Sequence, residues 1–98
     1  MMKIEQAVRA EALFAKLHRI LSEQGETNWI RGVSAAQTEL SSHSESGFEN
    51  AKSIYRTMVE GGRGFSEYFF WNDDEETRIA SNKSIDEIRN ELWSIFDS

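Results

Sequence analysis

A helical apolar stripe that runs into three glycines and then into a solid block of aromatic residues constrains this chain more than any other feature. The stretch from Ser53 to Trp71 reads SIYRTMVEGGRGFSEYFFW, with Ile54, Tyr55, Met58 and Val59 at helical spacing, then Gly61, Gly62 and Gly64, then Phe65, Tyr68, Phe69, Phe70 and Trp71. Glycine adopts positive φ at little steric cost, so this spacing predicts a helix C-cap and a sharp reversal, with Gly64 in the left-handed region. The aromatic residues then return across the core. Each ring buries on the order of 150–250 Å², so such a run does not form a solvated loop. Residues 65–72, FSEYFFWN, have β propensity but no clean alternation, which leaves a short strand, an extended crossing segment and a helical turn open. Any ring left outside the core would form a partner site, because aromatic anchors dominate binding energy at interfaces.

Three other segments carry helical periodicity. In the first, Ile4, Val8, Leu13, Leu17, Ile20 and Leu21 define a stripe, alanines raise the propensity, and Gly25 supplies the closing cap. In the second, Thr27 or Asn28 is the expected cap ahead of Trp29, Ile30, Val33, Ala36 and Leu40. Ser41 to Gly47, SSHSESG, is expected to be a loop, with the third helix opening at Phe48. Ser84-Ile85-Asp86-Glu87 reads as a capping box that starts the last helix, whose stripe is Ile85, Ile88, Leu92, Ile95 and Phe96. The expected fold is one all-α domain over residues 1–98, with four helices near 3–24, 28–40, 48–60 and 84–97. A Gly-rich turn and an aromatic crossing segment join the last two, and a short β element at 65–71 is the alternative for that segment.

Ninety-eight residues suffice for an independent core that buries roughly two-thirds of the unfolded surface. The absence of cysteine removes disulfides, thiolate nucleophiles and thiolate metal sites. Seventeen acidic residues against eleven basic ones give a net charge of −6, which repels nucleic acid. Nowhere do eighteen apolar residues run together, and Glu5 and Glu11 interrupt the N-terminal pattern, so a cytoplasmic protein without a membrane span is expected.

Candidate chemistry is sparse. His18 has no second ligand at metal spacing, and His43, between serines and near Glu45, has no rigid scaffold to fix it as a base. Gly61-Gly62-Arg63-Gly64 follows a helix rather than a strand and lacks the Lys-Ser or Lys-Thr of a phosphate loop. Asn72 to Glu76, NDDEE, lacks the alternating ligands and the glycine of a calcium loop and is expected to be a solvated loop or a fraying helix start. No catalytic, cofactor-binding or metal-ligating residue is therefore assigned, and an enzyme is not expected.

Ile54-Tyr55-x-x-Met58, then Gly61-Gly62-x-Gly64-Phe65-x-Glu67, a hydrophobic run, and Asn90-x-x-Trp93 around Leu92 resemble a family of small bacterial proteins that includes immunity proteins of contact-dependent growth inhibition and related polymorphic toxin systems. Gly61, Gly62, Gly64, Phe65 and Glu67 carry the resemblance, and Ser66-Glu67 stands where the family form reads Asn-Asp. It implies a protein that binds and neutralises a cognate toxin domain, with a basic nuclease the expected class. The acidic side chains Glu67, Asp73, Asp74, Glu75 and Glu76 would then face the toxin, with Tyr68 or Trp71 as anchors. The alternative is a small acidic regulatory or adaptor protein whose partner is not a toxin.

Overall fold

The computed structural model describes residues 4–60 and 64–97. Four helices follow one another: α1 (Ile4–Glu23), α2 (Trp29–Leu40), α3 (Glu45–Val59) and α4 (Glu75–Asp97), with a single 3-10 turn at Phe65–Glu67 before the last. The all-α expectation holds. Among the described residues there is no strand, so the β alternative for 65–71 is not what forms. The turn expected at Gly61-Gly62-Arg63 lies outside the described residues.

α1 buries Ala7, Ala10, Leu13, Phe14, Leu17 and Leu21, while Ile4 and Val8 are exposed. The expected stripe is thus rotated at its N-terminal end, because alanines at 7 and 10 let the neighbouring elements approach more closely than Ile4 and Val8 would. Gly25 closes the helix as expected, at φ +73°. Its N–H donates to Ser22 O and that of Glu26 to Leu21 O, the paired bonds of a Schellman cap.

The start of α2 differs from expectation. Asn28 makes no side-chain cap bond; the carboxylate of Glu26 instead accepts from the N–H groups of Asn28 and Ile30, both at 3.0 Å. α3 begins three residues before Phe48, since the Ser44 hydroxyl accepts from the N–H of Gly47 at 3.0 Å and caps the helix. Only residues 41–44 remain as loop.

The core is centred on Phe14, Tyr55, Phe48 and Phe96, whose ring centroids lie 5.3–6.1 Å apart. Tyr55 is almost fully buried; its hydroxyl donates to Arg89 O at 3.2 Å, and burial pushes its phenol above the ordinary range. Phe65 is fully buried and meets Trp29 at 5.9 Å and Tyr68 at 5.8 Å. A bidentate pair between Arg9 and Glu91 ties α1 to α4 on the surface.

The largest departure is the length of α4. Its buried residues begin at Ile85, where the capping box placed the helix start, yet the helix begins at Glu75. Ser84 to Glu87 therefore lies mid-helix. The cap is Asp74: its carboxylate accepts from the N–H of Thr77 at 2.9 Å and from the Thr77 hydroxyl, and these bonds hold it below the usual carboxylate range. Glu75 and Glu76 occupy the first turn, where the helix dipole favours negative charge.

Gly64 sits at φ −79°, not in the left-handed region. What it needs is space: a Cβ there would come within 2.7 Å of Met58 O and 2.9 Å of Val59 O. Gly64→Val is expected to destabilise the fold by about 1–3 kcal/mol through overpacking against backbone. Gly64→Asn should cost at least as much as Gly64→Ala in urea denaturation. Tolerance of asparagine over alanine would instead indicate a left-handed requirement.

Candidate functional site

After Phe65 the chain runs back along α4 as an extended strap over residues 68–72. Tyr68 has φ −61° and ψ 131°, the dihedrals of extended chain. An unpaired extended backbone would leave polar groups without partners, and α4 supplies them from side chains. Asn82 accepts the N–H of Phe70 through Oδ1 at 2.8 Å and donates through Nδ2 to Phe70 O at 2.9 Å, so one amide stands in for a strand partner. Arg78 donates to Asn72 O at 3.0 Å. Arg89 donates to Phe65 O at 2.6 Å and Tyr68 O at 3.1 Å, stacks over the Phe65 ring and pairs with Asp86.

The partners pair Phe65 with Arg89, Phe70 with Asn82 and Asn72 with Arg78, so the strap runs antiparallel to α4. Asn82→Ala removes both bonds to Phe70 and leaves a half-buried N–H and C=O unmet. A loss of about 1–2 kcal/mol is expected in urea denaturation, with the helical circular dichroism of the native state retained.

Successive side chains of an extended segment point to opposite sides, and the strap obeys this rule. Tyr68 and Phe70 turn inward. Tyr68 donates to Gln24 Oε1 at 2.8 Å, and burial, with Glu26 nearby, raises its phenol above the ordinary range. Phe70 faces Ile20 of α1 and Gln24 just past its end across a groove of about 340 Å³. Phe69 and Trp71 turn outward, 60% and 67% exposed. Arg78 lies over the Trp71 ring at 4.6 Å.

Ile79 adds a third exposed apolar side chain, 59% exposed, and it lines one groove of about 380 Å³ with Phe69. Isolated apolar side chains are normal on protein surfaces, but two aromatic rings and an isoleucine presented by adjacent elements form a patch. Periodicity hides Ile79, because it lies off the Ile85, Ile88, Leu92 stripe and ahead of the expected helix start at Ser84. Phe69 was hidden because a run of four aromatics masks alternation.

Of the acidic residues singled out, Asp73, Asp74, Glu75 and Glu76 gather at the N-terminus of α4 beside Trp71, all exposed. Asp74 is committed to the cap. Glu67 is also exposed but belongs to the other end of the strap, which is anchored at Arg89. Arg78 and Arg89 lie about 16 Å apart along a helix rising 1.5 Å per residue, so Glu67 is not part of the same cluster. Tyr68 is half-buried and bonded, which leaves Trp71 as the exposed ring of the two expected anchors. Phe65 serves the core.

Among the described residues no three His, Asp or Glu side chains are grouped to hold a metal ion, and no helix is long and apolar enough to cross a membrane. The chain matches no protein-family model, no curated protein and no solved structure.

Proposed function

We propose that this protein is an immunity protein that binds and neutralises a basic toxin domain, a nuclease being the expected class. The observation that carries the reading is the pairing of an exposed aromatic patch, Phe69 and Trp71, with the exposed carboxylates Asp73, Glu75 and Glu76 at the head of α4. A nuclease keeps a basic surface to receive phosphates, so an inhibitor that competes for that surface gains from negative charge. The resemblance over Ile54 to Trp93 supports the same class. Carboxylates at a rim speed encounter and are screened by salt, whereas desolvated rings set the lifetime of the complex.

Co-purification with the product of the adjacent gene tests the assignment. A stable complex is expected; its absence would return the protein to the adaptor class. Within a complex, Asp73→Asn, Glu75→Gln and Glu76→Gln together should slow association about tenfold at low salt and flatten its salt dependence. Asp74 is kept, so that the cap and the fold survive. An association rate and a salt dependence both unchanged in stopped-flow measurements would remove this run from the interface.

A further inference from the structure

The groove between Phe69 and α4 has two chemically different ends. Phe69 and Ile79 form the apolar end, with Arg78 beside them; Asp86 and Glu87 form the acidic end, with Asn82, Lys83 and Asn90 between and beyond them. Ile79 and Asp86 are about 10 Å apart along the helix axis, two turns of α4. Asp86 and Glu87 are both exposed, and Asp86 is paired with Arg89.

We infer that this groove is the anchor site for a basic protein segment, which places a large apolar side chain between Phe69 and Ile79 and a lysine or arginine about 10 Å further on against Glu87 and Asp86. The inference rests on the reading of the protein as a toxin-binding immunity protein and names the contact that would hold the toxin. Arg78 and Lys83 match Asp86 and Glu87 within the groove, so the charge of the surrounding stretch selects the occupant. From Glu67 to Asn90 the sequence holds seven carboxylates against three basic residues, so this stretch carries −4 of the chain's net −6. A second copy of the chain would set that charge against itself, and nucleic acid or an anionic membrane would be repelled in the same way. A basic protein surface is attracted, and an apolar side chain entering the groove covers the Phe69 ring and Ile79, which water otherwise meets.

The division of labour differs from that of the carboxylates at residues 73–76. Those steer approach, while Phe69 and Ile79 act after docking, so their loss appears in dissociation. Both side chains are exposed and contribute nothing to the core, so their truncation leaves the fold standing.

The experiment uses the full chain and the purified C-terminal domain of the protein encoded immediately upstream, with association and dissociation followed by surface plasmon resonance. Phe69→Ala combined with Ile79→Ala should raise the dissociation rate at least tenfold, leave the association rate within about twofold, and leave the melting curve unchanged. Glu87→Lys should weaken binding several-fold more than Glu49→Lys, an equal charge change on the exposed face of α3. Wild-type binding with an unchanged dissociation rate in the double variant, or equal effects of the two lysine variants, would overturn the groove and leave the immunity reading standing. No binding of the wild-type chain would overturn the reading itself and this inference with it.

Discussion

Replacing Phe65 by alanine is expected to cost about 3–5 kcal/mol, the range for emptying a buried phenylalanine site. The ring is fully buried and sits where four parts of the molecule meet: Trp29 of α2 at 5.9 Å, Tyr68 of the strap at 5.8 Å, the Arg89 guanidinium of α4 at 5.4 Å, and the end of α3 through Gly64. Few of these neighbours can collapse into the space. Arg89 is fixed by two carbonyls and Asp86, and Gly64 already lies against the carbonyls of Met58 and Val59. A domain of this size has about 5–15 kcal/mol in total, so the variant should lose between about a fifth and all of its stability. The expected shift in melting temperature is more than 10 °C, with an unchanged denaturant m-value if the native state stays compact. A shift below about 3 °C would mean that Phe65 is not the keystone between strap and core.

The second large effect is expected at Gly47. This residue lies in the first turn of α3, where alanine would ordinarily raise helix propensity by about 1 kcal/mol. Here a Cβ would stand 2.2 Å from Glu39 O and 2.3 Å from Ser42 Oγ, so α2 and α3 would have to separate. Gly47→Ala is expected to destabilise by about 2–3 kcal/mol and Gly47→Val by more. Gly32 supplies the control. Its Cβ would meet the Met58 thioether at 2.7 Å, a flexible side chain that can turn aside, so Gly32→Ala should lie within about 1 kcal/mol of wild type. Equal effects at positions 32 and 47 in parallel thermal melts would contradict the distinction between backbone and side-chain obstacles.

Gly47 and Gly64 show where sequence reading stops. A close approach of backbone to backbone leaves no mark in the local pattern, so Gly47 reads as loop and Gly64 as a left-handed turn. Helices α1, α2 and α3 are legible because apolar spacing and core coincide over most of each, Ile4 and Val8 of α1 excepted. In α4 they part: the stripe begins at Ile85 but the helix begins at Glu75, since the intervening turns are held by Asp74, Arg78 and Asn82 rather than by apolar burial. The acidic run and the exposed Trp71 were both readable as a candidate surface. That Phe69 and Ile79 join it depends on the strap lying antiparallel to α4, a tertiary relation with no sequence signature.

The strap is gripped by its main chain. Asn82 binds the N–H and C=O of Phe70, Arg78 the carbonyl of Asn72, and Arg89 the carbonyls of Phe65 and Tyr68. None of these bonds reads the outward side chains at positions 69 and 71. The mount and the message are therefore separate: substitutions at 69, 71 and 79 can re-specify what the surface accepts while the fold stays within its narrow stability margin. Under the proposed function, a chain built this way would keep pace with a changing partner one side chain at a time, without first having to refold its core.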